Sequence, residues 1–111
     1  MKVCDLCEKL DLKILCGEAP LDNEVKGCYC GDLLSWVMSR AKSGDAWLTV
    51  MGNVNSIGVA VLADIACIIL VENAPLDSDA LKKAKENGIA VLQSSGPAYD
   101  IAVSISKLLG D

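Results

Sequence analysis

The chain has 111 residues, 52% of them hydrophobic, which is enough for one core and too little for two full domains. Its formal charge is −5, with Lys and Arg spread among acidic residues, a field that excludes nucleic acid and anionic membrane surfaces as expected partners. Phe is absent and aromatics make up 4%, so the core must be aliphatic, as suits strands sandwiched between helices.

Taken in chain order, Cys4 to Leu10 predicts a short helix with Leu6, Cys7 and Leu10 on one face and Cys4 or Asp5 near its N-cap. Leu12 to Cys16 alternates as a half-buried strand does, and Gly17 to Glu24, with Pro20 and Asp22-Asn23, reads as a loop. Val25 to Cys30 resumes alternation and turns Cys28 and Cys30 to the same side. Gly31-Asp32 then predicts a capped helix with Leu33, Leu34, Val37, Met38 and Ala41 on one face, closed by Lys42-Ser43-Gly44. Trp36 lies off that stripe and is expected to pack beneath a neighbouring element.

From Asp45 to Ser95 three apolar runs alternate with two helical segments. The runs are Ala46 to Met51, Ala66 to Val71 and Ile89 to Leu92, a parallel β/α pattern in which Trp47 takes a buried strand position. Ser56 to Ile65 is apolar almost all round, as in a helix that is deeply buried or that meets another subunit. Ser78 to Asn87 is amphipathic, capped by Asp77, ended by Gly88, and spaced for an Asp79–Lys83 pair. The last helix, Ala98 to Leu109, follows Ser94-Ser95-Gly96-Pro97 and presents Ile101, Ala102, Ile105, Leu108 and Leu109.

Open parallel sheets bind ligands outside the carboxyl ends of their strands, which selects Gly52 to Ser56, Glu72 to Pro75 and Gln93 to Pro97. The ligand-binding candidates there are Asn53, Asn55, Ser56, Glu72 and Asn73. Gly52-Asn53-Val54-Asn55-Ser56-Ile57-Gly58 has small residues that let backbone N–H groups approach an anion, but it lacks the ending of a P-loop. The same turn also reads as an ordinary strand-to-helix connection with Asn55 or Ser56 as N-cap.

Cys4-x-x-Cys7 and Cys28-x-Cys30 together supply the four thiolates that a structural zinc or an iron–sulfur cluster needs. Incidental reduced thiols are the alternative, with a redox role for Cys4 near a helix start as a third reading. Cys16 and Cys67 fall in apolar runs and read as small core residues. Without any histidine, a serine or cysteine nucleophile would lack the commonest general base, so no catalytic residue is expected and no cofactor is assigned. Asp64 and Glu72 are the acids that a small transferase or hydrolase would use. The longest apolar stretch, Ile57 to Val71, contains Asp64 and is too short for a bilayer span, and Met1 to Asp5 has no signal-peptide core. A cytoplasmic chain with reduced thiols is therefore expected.

Across Leu6 to Leu109 the order of elements resembles the DRTGG domain family, itself similar to the N-terminal domain of HPr kinase/phosphorylase. The resemblance is carried by Leu6-Cys7-Glu8-Lys9-Leu10, Gly17-Glu18, Val25-Lys26-Gly27, Asp32-Leu33-Leu34-Ser35, Gly44-Asp45, Leu62-Ala63-Asp64, Ala84-x-x-x-Gly88-Ile89 and Tyr99-Asp100-Ile101-Ala102. It implies a single domain over 1–111, a three-layer α/β/α fold with a small mixed, mainly parallel sheet. It also implies self-association as a homodimer and a regulatory role with a small-molecule or nucleotide ligand. Free-standing members resemble accessory proteins encoded beside iron-only hydrogenases, which implies a protein partner in an anaerobic redox system. Where relatives carry Asp-Arg this chain has Asn53-Val54, and where they carry Thr-Gly-Gly it has Val71-Glu72-Asn73. The phosphate-binding guanidinium is thereby lost, and with it the space for close backbone approach. The P-loop kinase domain of HPr kinase is also missing, so kinase activity is not implied.

Overall fold

The computed structural model describes residues 1–110, the side chain of residue 19 apart, so the last residue of the expected 1–111 domain lies outside it. The elements run α1 (Val3–Leu10), β1 (Lys13–Cys16), a single 3-10 turn (Ala19–Asp22), β2 (Gly27–Cys30), α2 (Leu34–Arg40), β3 (Asp45–Thr49), α3 (Val54–Ala63), β4 (Cys67–Leu70), α4 (Ser78–Asn87), β5 (Val91–Gln93) and α5 (Ala98–Leu108). One five-stranded sheet in the order β1-β5-β4-β3-β2 joins them, and only the β1–β5 pair is antiparallel. The expected small, mainly parallel mixed sheet is the observed one.

Because β2, β3, β4 and β5 are neighbours in chain order, their three crossovers wind in one direction and put α2, α3 and α4 on the same face. Val37, Ile57, Val59, Ala60, Ala80 and Ala84 pack there on Trp47, Ile68, Leu70 and Val91. The other face carries α1 and α5, whose Val3, Leu6, Ile101 and Ile105 meet Ala46, Leu48, Cys67, Ile69 and Leu92. Alternate residues of β3 and β4 thus serve opposite cores, and all nine residues of those two strands are buried. This is why both strands read as unbroken apolar runs.

Several local expectations are corrected. α1 is entered from Lys2, and Asp5 sits at its third position, where the carboxylate accepts the Lys2 backbone N–H. α2 stops at Arg40, short of Gly44, and Asp32 does not cap it. α3 starts two residues early, because the Asn53 side chain accepts the Ser56 N–H at 3.0 Å and so takes the capping role given to Asn55 or Ser56. Among the described residues Asp79 and Lys83 form no ion pair; the Asp79 carboxylate accepts its neighbour's N–H from Ala80 instead. Trp47 is fully buried as expected, whereas Trp36 is 55% exposed with the Arg40 guanidinium stacked 3.8 Å from its ring centre.

Candidate functional site

The four parallel strands all end on one side of the molecule, where the connections Gly31-Asp32, Val50 to Asn53, Val71 to Ala74 and Ser94 to Gly96 converge. After β4 the chain turns to α4 on one face, and after β5 to α5 on the other. Such a divergence of neighbouring loops is what opens a ligand crevice in α/β sheets. Here the chain closes it on itself. Glu72 and Asn73 both adopt left-handed conformations, φ 55° and 56°, and donate their backbone N–H groups across the gap to Gly96 and Ser94, each at 2.9 Å. The Gln93 amide adds a 3.0 Å bond to the Ala74 carbonyl. Two consecutive non-glycine residues thus hold a conformation that glycine adopts most readily.

What stays open is a cleft of about 270 Å³ on the α5 side, over the ends of β2, β3 and β4. It is lined by Cys30, Gly31, Asp32, Thr49, Val50, Glu72 and, from the start of α5, Ala98, with Leu48 and Val71 beneath. Asp32 organises it. One carboxylate oxygen accepts from the Thr49 hydroxyl at 2.7 Å and from the Val50 N–H at 3.0 Å, and Thr49 in turn accepts from the Met51 N–H at 3.2 Å. The buried Trp47 indole donates to the Gly31 carbonyl at 2.9 Å and fixes the adjoining turn. The cleft's charged side chains, Asp32 and Glu72, are both acidic, so its field opposes a phosphate.

The residues expected to form a site divide. Glu72 lines the cleft. Asn53 is occupied as the α3 cap, and its side-chain Oδ1 also accepts from the hydroxyl of the fully buried Ser56 at 3.2 Å. Asn55 and Asn73 are exposed, and neither lines the cleft. Asp32, Thr49 and Cys30, which do, carry cap, strand and thiol-pair readings in the sequence. The signal that could have found Asp32 is its place two residues past the end of a strand. Asp64 and Glu72, the pair an acid-based enzyme would use, are not brought together. Asp64 takes a left-handed conformation at the C-cap of α3 and accepts from the Ser43 hydroxyl. That places it at the opposite end of the sheet from Glu72.

All six cysteines are free. Cys7 and Cys28 pack against the same buried cluster as Cys67, on the α1/α5 face. Burial raises the thiols of Cys7, Cys16 and Cys67, and it pushes Cys28 up to about 12, assisted by the neighbouring Cys30. Among the described residues no group of three or more His, Cys, Asp or Glu side chains is arranged to hold a metal ion, and Cys4, Cys7, Cys28 and Cys30 form no four-thiolate cage. No described helix is long and apolar enough to cross a membrane.

No curated protein matches the sequence. By structure the chain is similar to the CBS and DRTGG domains of the regulatory region of Clostridium perfringens pyrophosphatase, a structure determined with its activator, diadenosine tetraphosphate. The TM-score is 0.65 at 8% identity, over 89% of this chain and 43% of that one, so this chain spans less than half of the neighbour. The likeness concerns the fold. The model of the DRTGG domain matches residues 5–108, and the chain belongs to the DRTGG domain family.

Proposed function

We propose that the chain is a non-enzymatic regulatory module, a ligand-sensing or protein-interaction domain that works as a homodimer. The observation that carries this reading is the exposed apolar side of α2. Leu33, at its N-cap, and Trp36 are 59% and 55% exposed, and Met38 is nearly half exposed. Large apolar side chains gathered on one element of a small domain mark a contact surface rather than a core. Family membership supports the regulatory half, since the similar structure is the regulatory region of an enzyme. In this reading the module acts in the cytoplasm, and its partner belongs to an anaerobic redox system, as the family resemblance implies. A nucleotide ligand gains nothing from the strand-end cleft, whose charged groups are Asp32 and Glu72.

Sedimentation equilibrium tests the dimer. The wild-type chain is expected to be dimeric at tens of micromolar, and Trp36→Ser to be monomeric with unchanged circular dichroism. A monomeric wild type would sink the self-association half.

A second reading, a thiolate metal or iron–sulfur accessory protein, is favoured by the gathering of thiols on the α1/α5 side. Cys4 and Cys7 stand on α1, Cys28 and Cys67 on strands beneath that layer, and Cys30 on the same side of β2 as Cys28. Closing them on one ion requires the thiols to be brought closer together, since no three of them are grouped for a metal among the described residues. Anaerobic purification followed by metal analysis decides the matter, and a colourless, metal-free, folded protein counts against it.

A further inference from the structure

At the end of the sheet away from the strand carboxyl ends, between β1 and α4, lies a cleft of about 520 Å³. Its volume is within the range of small-molecule sites, and nearly twice that of the strand-end cleft. Three features of the chain build it. β1 slips register between Ile14 and Cys16, so the consecutive side chains of Leu15 and Cys16 both join the core on the α4 side. Gly17, at φ +104°, lets the wall run close under β5, where a Cβ would stand 2.8 Å from the Ala90 Cα. Gly88 ends α4, and even an added Cβ there would meet nothing within 4 Å, so the mouth is clear.

The lining combines an apolar floor with two opposite charges. Ile14, Leu15, Pro20 and Ala84 supply the floor, while Glu18 and Lys85 stand at the rim. Among the described residues neither side chain makes an ion pair or a side-chain hydrogen bond, with the other or with any third group. That contrasts with Asp32 in the strand-end cleft, whose carboxylate is held by the structure around it. A carboxylate and an ammonium left unpaired above one apolar hollow complement a ligand that carries both opposite charges and an apolar body.

We propose that the β1/α4 cleft binds a small zwitterion with an aliphatic body, the chemistry of a free aliphatic amino acid. The ligand's carboxylate pairs with Lys85, its ammonium with Glu18, and its side chain lies on Ile14, Leu15, Pro20 and Ala84. This rests on the sensing half of the proposed function and gives it a site and a ligand class.

Titration of the full ¹⁵N-labelled chain with L-leucine tests it, with 4-methylpentanoate and 3-methylbutylamine as ligands that each keep one charge. Leucine is expected to give saturable amide shifts over residues 14–18 and 84–88, and each half-ligand to bind on the order of tenfold more weakly. Lys85→Gln and Glu18→Gln, both exposed and without side-chain partners among the described residues, are each expected to weaken leucine by a similar factor while leaving the fold intact. Absence of saturable shifts in these segments overturns the site, and a half-ligand that matches leucine overturns the zwitterion assignment. Either result leaves the sedimentation of the dimer unaltered, because Trp36 belongs to the other margin of the sheet. A monomeric chain that still bound leucine would overturn the dimer and uphold the site.

Discussion

The two clefts of this domain differ in what their charges do. At the strand carboxyl ends Asp32 is spent on the fold, holding Thr49 and Val50, and the backbone of Glu72 and Asn73 is tied to Gly96 and Ser94. At the β1/α4 margin Glu18 and Lys85 hold nothing among the described residues. The first region has the geometry in which α/β proteins place ligands, yet the chain fills it. The second has no topological reason to bind anything, but an antiparallel edge strand that α4 covers only in part leaves a hollow there. Strand direction decides where loops converge; what remains open is decided by which polar groups the loops must satisfy among themselves.

The largest expected effects come from breaking each region at its glycine. A Cβ on Gly52 would stand 1.9 Å from the Pro75 carbonyl oxygen, and the backbone there is committed, since the Asp77 N–H donates to the Gly52 carbonyl at 2.8 Å. Gly52→Ala is therefore expected to cost about 3 kcal/mol in urea unfolding, by overpacking backbone that cannot yield. Gly17→Ala faces the Ala90 Cα at 2.8 Å and a left-handed φ, and is expected to cost about 2 kcal/mol. The pair also separates the clefts. Gly52→Ala should disturb amide shifts around 72–77 and spare 14–18, with the reverse for Gly17→Ala. Costs below about 0.5 kcal/mol for either would mean that the close approaches relax freely.

Much of this architecture is legible in the sequence, and the reasons are local. β3 and β4 are apolar on both faces because both are covered, so Ala46 to Thr49 and Cys67 to Leu70 stand out in the sequence. α4 is bounded by Asp77 and Gly88, and its limits follow directly. The site is less legible. The Gly52 to Gly58 turn reads alike as an anion loop and as a capped helix start with Asn55 or Ser56 as the cap, because both use small polar side chains at a strand-to-helix turn; the cap prevails, but at Asn53, through a bond to Ser56 three residues on. Asp32 reads as a cap because nothing in the sequence places Thr49, seventeen positions away, beside it. The β1/α4 cleft leaves no signal, since it depends on a one-residue slip between β1 and β5. Trp36 misleads for a related reason: α2 lies at the margin of the sheet, where no further element covers it.

An intermediate effect sharpens the difference in what the charged groups do. Asp32→Ala leaves the buried Thr49 hydroxyl, 2% exposed, without its acceptor, and is expected to cost about 1.5 kcal/mol. Asp32→Asn keeps an acceptor oxygen in place and should recover most of that loss. At the other cleft, Glu18→Gln and Lys85→Gln should stay within about 0.5 kcal/mol of the parent chain, as exposed side chains without partners do. Thermal or urea unfolding of the four variants checks the contrast directly. Equal costs at the two sites would remove the distinction between a charge used by the fold and a charge left for a ligand.

The smallest effect concerns Glu72, whose left-handed conformation holds the strand-end crevice shut. A non-glycine residue at φ 55° carries a steric penalty of about 1 kcal/mol, which Glu72→Gly removes. The same change frees the unfolded chain, which costs roughly 0.4–1 kcal/mol, so the net gain is expected to be no more than about 0.5 kcal/mol. Asn73→Gly should gain still less, because asparagine tolerates this region better than glutamate does. The informative readout is therefore hydrogen exchange at residues 72 and 73 rather than stability. If the bonds to Gly96 and Ser94 hold the crevice closed, both amides stay protected in Glu72→Gly, since glycine reaches the same φ without strain. Loss of protection at near-parent stability would mean that glutamate's restricted backbone keeps the crevice closed, and that glycine at this position leaves it able to open.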